Sequence, residues 1–132
     1  MFDITAITDV TIDSVWSNWD AGTLDLEIWY KLGTCVGSQA TPGAWTLDGG
    51  ATGVTSAGNN NLTPIPIPIG IFVPAGTTIA LYVTETSTTG PAMCNYTTAF
   101  APNTAGSLYN QNLNIQLSYA YGKSYPFAAS FN

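Results

Sequence analysis

An eight-residue segment near the middle of the chain alternates two residue types in strict order. From Pro64 to Ile71 the sequence reads Pro-Ile-Pro-Ile-Pro-Ile-Gly-Ile. Because successive side chains of an extended chain point to opposite faces, proline occupies one face and isoleucine the other. Proline has no amide hydrogen, so every second hydrogen-bond donor is missing and such a strand pairs fully on one edge at most. The segment therefore predicts an edge strand or an extended connector that crosses a β-sandwich.

The rest of the chain has the pattern of short strands joined by turns. Gly, Pro, Thr and Asn recur about every ten residues, and no stretch long enough for a helix shows a helical apolar period. Segments 23–32 and 77–85 alternate apolar and polar residues, as half-buried antiparallel strands do. Segment 10–19 needs a β-bulge near Asp13 to bring Ile12 and Val15 to one face. Shorter strands are expected at 2–7, 44–47, 93–97 and 113–119. These patterns predict a single antiparallel β-sandwich domain over residues 1–132, of jelly-roll or immunoglobulin-like type.

Charged residues are scarce and mostly acidic. The chain has two Lys, no Arg and no His against eight Asp and Glu, which gives a net charge of −6. Because nucleic acids and anionic membrane surfaces are bound through clusters of basic residues, we expect neither partner. The longest apolar stretch, residues 65–73, is broken by proline and glycine and is too short to enter a bilayer as a spanning segment. A weakly charged surface resists association poorly, which favours a protein that assembles with copies of itself.

The two cysteines, Cys35 and Cys94, lie far apart in the sequence. A disulfide between them would close a loop of about 60 residues and stabilise the fold by on the order of 4 kcal/mol. The alternative is a pair of unpaired buried thiols. Their spacing matches neither a metal knuckle nor a redox pair. Together with the abundance of Thr and Asn, they favour an oxidising environment, hence an extracellular or cell-surface location.

Few residues are suited to catalysis or metal binding. Without histidine, neither a Ser-His-Asp nor a Cys-His arrangement can form, and the commonest nitrogen ligand of zinc is missing. Asp25 and Glu27 share one face of their strand and are expected to point side by side to solvent, unlike the opposed carboxylates of a glycosidase. We therefore expect no enzyme activity, no metal and no cofactor. The acids near the amino end also lack the spacing of a calcium-binding loop: Asp3, Asp9, Asp13 and Asp20.

Two short motifs mark candidate modification sites. Asn61 and Asn95 each begin an N-x-S/T sequence, which is the acceptor for N-glycosylation in cells that glycosylate such sites.

Aromatic side chains are the remaining functional signal. Trp29 occupies a polar-face position of its strand, and Trp16 does the same if the bulge lies near Asp13. If the two strands are neighbours, Trp16, Trp29 and Tyr82 form an exposed ligand or partner surface, suited to stacking on sugar rings or to packing against another subunit. The alternative is that another layer or loop of the same chain covers them.

Several short segments follow one another in a recognisable order: MFDITAI at 1–7, WYKLGT at 29–34, AWTL at 44–47, VPAGT at 73–77, LYV at 81–83 and GKSYPF at 122–127. In these segments the chain resembles an uncharacterised β-sandwich module that recurs in large secreted and cell-surface proteins of bacteria. The resemblance implies a secreted adhesive or structural module with no catalytic residues to carry over. Cys35 and Cys94 depart from its pattern. Such modules also continue beyond Tyr125-Pro126-Phe127 into one further strand, so we expect an edge strand to be missing here or supplied by a neighbouring copy.

The sequence thus predicts a non-catalytic extracellular structural or adhesive module. Its leading role is a self-assembling subunit of a bacterial surface filament or fibre, with copies of itself as partners. One alternative is a carbohydrate-binding module that uses Trp16, Trp29 and Tyr82 to bind glycans. Another is a virion fibre or capsid decoration protein, since these share the sandwich fold and a neutral polar surface.

Overall fold

The structure is a computed structural model, which describes residues 1–86, 104–123, 125–127 and 130–131. Within these residues the chain is built of strands, and the one helical element is a 3₁₀ turn at Pro42–Ala44. None of the described residues forms a helix long and apolar enough to cross a membrane. The strands, in chain order, are β1 (Phe2–Ala6), β2 (Val10–Ile12), β3 (Trp16–Asn18), β4 (Thr23–Leu32), β5 (Thr46–Thr55), β6 (Leu62–Pro64), β7 (Ile71–Val73), β8 (Thr78–Glu85), β9 (Leu108–Gln111), β10 (Ile115–Ser118), β11 (Gly122–Lys123) and β12 (Ser130–Phe131).

The larger layer is a six-stranded antiparallel sheet in the order β5-β4-β8-β1-β10-β9. Its longest central pairing joins β4 to β8, from Leu26 opposite Glu85 to Leu32 opposite Ile79. Both strands coincide closely with the alternating segments predicted from the sequence. On the face towards the second layer they bury their alternating aliphatic residues: Leu24, Leu26, Ile28, Ile79 and Leu81.

The second layer consists of two short ribbons, β2 with β7 and β3 with β6. In the first, Ile12 lies opposite Ile71; in the second, Trp16 lies opposite Pro64. Residues 13–15 connect β2 to β3 and lie beside the longer segment 65–70, which connects β6 to β7. The hydrogen bond described between these two connections runs from the Ile65 amide to the Val15 carbonyl and is 3.0 Å long. The prediction of one continuous strand over 10–19 with a bulge near Asp13 was wrong, because the prolines opposite cannot donate the hydrogen bonds that would continue the ladder.

The proline and isoleucine segment is an extended connector between β6 and β7, which confirms one of the two predicted readings. Ile65, Ile67 and Ile69 are buried in the core between the layers, whereas Pro64, Pro66 and Pro68 are exposed. Burial of each isoleucine is worth about 1.5–3 kcal/mol relative to exposure. The three isoleucines therefore fasten the second layer to the sheet, and the fold is an all-β, antiparallel, sandwich-like one.

The opposite face of the sheet is also covered. A second apolar cluster lies there, formed by side chains that come from distant parts of the chain: Cys35, Trp45, Ala80, Tyr82 and Phe127. The central strand β8 is thus buried on both faces, since Ile79 and Leu81 face one cluster and Ala80 and Tyr82 the other. Because both faces of the sheet are covered at β8, the exposed surface there is formed by the covering segments and not by the sheet itself.

The remaining strands differ in part from the prediction. The segment predicted at 44–47 is the end of the 3₁₀ turn followed by the start of the longer β5, and β9 was not predicted. The strand predicted at 93–97 lies outside the described residues. After the Tyr125-Pro126-Phe127 segment comes the two-residue strand β12, which pairs with β11.

Candidate interaction surface

The predicted aromatic surface of Trp16, Trp29 and Tyr82 is not formed, and Tyr82 departs from it most. Only 1% of Tyr82 is exposed, because it lies in the middle of the central strand β8. Its ring centroid lies 4.8 Å from that of Phe127 and 6.2 Å from that of Trp45. Burial raises the pKa of its hydroxyl. The assignment of Tyr82 to a ligand surface was therefore wrong, since segments distant in sequence cover this face of the sheet.

Trp29 is the cross-strand neighbour of Tyr82 and is also partly covered. Its ring meets that of Phe127 edge to face, with 5.4 Å between the centroids. Its indole Nε1 donates a hydrogen bond of 2.8 Å to Glu27 Oε2. The alternative that another part of the same chain covers these rings therefore describes Trp29 as well as Tyr82.

Trp16 alone keeps the exposed position predicted for it, with 57% of its surface accessible. It lies in the second layer, because β3 pairs with β6 and not with β4. Its neighbour across the ribbon is Pro64. Trp16 and Trp29 therefore belong to different layers and do not share a face.

Trp16 belongs to an exposed apolar surface that was not predicted from the sequence. We call it the outer stripe; it consists of Trp16, Leu62, Pro64, Pro66, Pro68 and Phe72, all of them exposed. Leu62 is 62% and Phe72 58% exposed. Alternate residues of the same segments, such as Ile12 and Ile65, pack into the core, so the stripe points away from it. The alternation of proline with isoleucine is the signal that could have found the stripe, because burial of one face exposes the other.

The outer stripe is almost free of charge. Within the two ribbons and the segments that join them, residues 10–18 and 62–73, Asp13 is the one charged residue. It is exposed and accepts a hydrogen bond from the hydroxyl of Ser14, at 3.0 Å. The two lysines belong to other strands, Lys31 to β4 and Lys123 to β11. The two ribbons and their connecting segments therefore contribute an apolar surface with one negative charge of their own.

Two of the acids near the amino end, Asp3 and Asp9, have structural roles. The buried carboxylate of Asp3 accepts hydrogen bonds from the Cys35 amide, 2.9 Å, and from the Thr34 hydroxyl, 2.5 Å. Asp9 accepts one from the Ala75 amide, 2.8 Å, and so fixes the turn after β7. Within the described part of the chain, no three His, Cys, Asp or Glu side chains are grouped as metal ligands would be.

Two acids of β4 in the large sheet also accept hydrogen bonds. Asp25 Oδ1 accepts a hydrogen bond of 2.9 Å from the Gly53 amide, at the point where the register of β4 and β5 shifts, and Glu27 binds the Trp29 indole. Burial, and secondarily the charge of Asp25, raises the pKa of Glu85. The predicted side-by-side arrangement of Asp25 and Glu27 thus serves to hold neighbouring backbone and side chains.

Cys35 is a buried free thiol in the structure. Burial, with a smaller effect of the hydrogen-bonded Asp3 carboxylate, raises the pKa of this thiol to about 12. Its predicted disulfide partner Cys94 lies outside the described residues, so the structure gives no support to the bridge.

Of the two candidate glycosylation sites, Asn61 lies in the exposed turn before β6 and Asn95 lies outside the described residues. The Asn61 side-chain amide donates a hydrogen bond of 3.3 Å to the Asn59 carbonyl. Asn61 directly precedes Leu62 of the outer stripe.

Comparison of the chain with protein-family models, with curated proteins and with solved structures found no match. The resemblance to a secreted bacterial β-sandwich module therefore stays a prediction.

Proposed function

We propose that the chain is a non-catalytic extracellular structural or adhesive module that assembles with copies of itself, as a subunit of a surface filament or fibre. The observation that carries this proposal is the outer stripe, which leaves a tryptophan, a phenylalanine, a leucine and three prolines exposed on one face. The largest exposed apolar patch of a soluble protein, typically about 300–600 Å², is often a site of association or ligand binding.

The composition of the surface supports the same proposal. With 8% charged residues, the chain has little of the electrostatic repulsion that keeps neighbouring molecules apart. The ends of the large sheet add a second route to assembly, because the described residues provide no strand beside the outer edges of β5 and β9. An edge strand has free amide and carbonyl groups, so it can accept a strand from a neighbouring copy.

The mass of the purified chain in solution tests this function. Size-exclusion chromatography with light scattering, over a wide range of concentration, is expected to show a mass that rises above that of the monomer, and electron microscopy is expected to show ordered filaments. A well-folded chain that stays monomeric at every concentration would falsify the proposal.

Carbohydrate binding is the second candidate, and the exposure of Trp16 is the observation that favours it. The structure reduces the predicted stacking platform from three rings to this one, with Phe72 farther along the same face. A glycan array is the direct test: binding with micromolar affinity that is lost in Trp16→Ala would rank this function above self-assembly.

A further inference from the structure

We propose that the outer stripe is the surface through which copies of this chain pack against one another, and that salt strengthens this contact. The inference rests on the proposed function, since it names the interface of the assembly. The contact is formed by Trp16, Leu62, Pro64, Pro66, Pro68 and Phe72, and its strength depends on ionic strength.

The chemistry of the stripe selects an apolar occupant. Apart from the indole Nε1 of Trp16, none of its six side chains has a hydrogen-bonding group, and prolines have no amide hydrogen either. A sugar whose hydroxyl groups were pressed against this surface would lose hydrogen bonds to water without replacement, which costs about 1–3 kcal/mol for each group. An apolar protein surface has no such penalty.

A second copy of the chain offers a surface of that kind. Its own outer stripe is apolar, and two ribbon faces can pack against each other as sheets do, at a distance of about 10 Å. Interfaces between identical subunits are more apolar than other interfaces, and tryptophan is among the residues that contribute most to their affinity. Trp16, which lies opposite Pro64 across the ribbon, is therefore expected to contribute most to the affinity of the contact.

The area of the stripe limits the strength of a single contact. Because a large aromatic side chain buries roughly 150–250 Å², the exposed parts of the six side chains amount to on the order of 500 Å². A standard stable interface buries about 800 Å² on each partner. One stripe-to-stripe contact is therefore weak, and because it uses the same surface on both copies it closes as a dimer. Growth into a filament requires a second contact, for which the outer edges of β5 and β9 are available.

The charges near the stripe determine how salt affects the contact. Asp13 lies between the two ribbons and has no basic residue beside it in residues 10–18 or 62–73, and each copy has a net charge of −6. Two copies that meet at this face therefore repel each other electrostatically. Salt screens this repulsion, and kosmotropic salts such as sulfate also strengthen apolar burial. Self-association is thus expected to increase with ionic strength, whereas an assembly held together by opposite charges would weaken.

Sedimentation velocity of the full chain at low and high salt tests the inference. The double variant Trp16→Ser with Phe72→Ser is expected to raise the dissociation constant for self-association at least tenfold. The matched control is Leu32→Ser with Leu113→Ser, which removes two exposed apolar side chains outside the stripe and is expected to associate as the native chain does. Circular dichroism and thermal unfolding establish that each variant is folded.

A variant that leaves the apolar residues intact gives an independent readout. Asp13 is exposed and its one described side-chain bond is to Ser14, so Asp13→Asn is expected to fold normally. It is expected to associate more strongly than the native chain at low salt and to respond less to added salt. The Asp13→Asn measurement tests the inference even if the double variant does not fold.

The outcomes separate the inference from the proposed function. A native chain that is monomeric throughout refutes both. A native chain that assembles equally well with and without Trp16 and Phe72, or that dissociates as salt is added, overturns the assignment of the stripe and leaves self-assembly standing. A monomeric native chain that binds glycans on an array, with binding lost in Trp16→Ser, would instead make the stripe a sugar-binding surface.

Discussion

The Cγ2 atom of Ile67 occupies the space that a side chain at position 49 would need. A Cβ atom on Gly49 would stand 2.8 Å from it, closer than carbon atoms can approach without displacement. Gly49 belongs to β5, where it lies opposite Ile28 of β4. The close approach thus lets the connector of the second layer lie directly on an outer strand of the sheet.

Replacement of Gly49 by alanine is therefore expected to destabilise the protein. Because Ile67 is buried and cannot move freely, the added methyl group overpacks the core and costs about 1–3 kcal/mol. The matched control is Gly70→Ala, where a Cβ atom would meet nothing within 4 Å. Urea unfolding of both variants measures the effect. Equal stability of Gly49→Ala and Gly70→Ala would contradict the close contact.

The two faces of the connector are expected to respond differently to alanine. Ile67→Ala removes a buried side chain and should lower the free energy of unfolding by about 2–5 kcal/mol. Pro66→Ala alters an exposed neighbour and should change it by less than about 1 kcal/mol, through the entropy of the unfolded chain. Chemical denaturation of the pair measures the difference. Similar losses in both variants would mean that the isoleucine face is not the buried one.

Patterns local in sequence predicted the parts of the fold that local geometry determines. The alternation in 23–32 specifies a strand with two unlike faces, and the alternation of proline and isoleucine specifies an extended connector with one face suited to the core. Both conclusions need only the two-residue period of extended backbone. The structure agrees with them at Leu24, Ile28 and Ile67.

Which residues cover each face of the large sheet could not be predicted from local patterns. Tyr82 is buried by Phe127 and Trp45, which lie more than thirty-five residues away in the sequence on either side. No pattern near Tyr82 predicts these contacts. Trp16 was placed beside Trp29 because consecutive strands often pair, but β3 pairs with β6 instead. The surface around Trp16 was therefore assembled only when the pairing of the ribbons was known.

Cys35 is expected to resist alkylation in the folded protein. Its side chain is buried, and with a pKa of about 12 it holds almost no reactive thiolate near neutral pH. Iodoacetamide treatment followed by peptide mapping should label Cys35 only after the protein is unfolded in urea. Rapid labelling of the folded chain would contradict the burial, and a peptide in which Cys35 is joined to Cys94 would support the disulfide predicted from the sequence.

The same thiol is expected to make stability fall in alkaline solution. Its pKa rises from 9.0 in the exposed state to about 12 in the folded state, so the unfolded chain ionises first. The stabilisation that comes from keeping the Cys35 thiol neutral is fully present below pH 9. As pH rises from 9 towards 12, the free energy of unfolding falls, by at most about 1.4 kcal/mol per pH unit.

Urea unfolding of the native chain and of Cys35→Ala at pH 8, 9 and 10 measures this dependence. Burial also raises the pKa of Tyr82, but that hydroxyl is present in both proteins, so the comparison isolates the thiol. The stability of the native chain is expected to fall more steeply with pH than that of the variant. Parallel curves would show that Cys35 titrates alike in both states.

Glycosylation of Asn61 is expected to block assembly through the outer stripe. Asn61 is exposed and directly precedes Leu62, so a glycan there is a bulky, hydrated group at the margin of the apolar surface. The chain produced in a host that modifies this site should associate more weakly than the unmodified chain. Asn61→Gln from the same host, which keeps the second motif at Asn95, should recover the association of the unmodified chain in sedimentation velocity. Equal association of the glycosylated chain and Asn61→Gln would place the interface away from this end of the stripe.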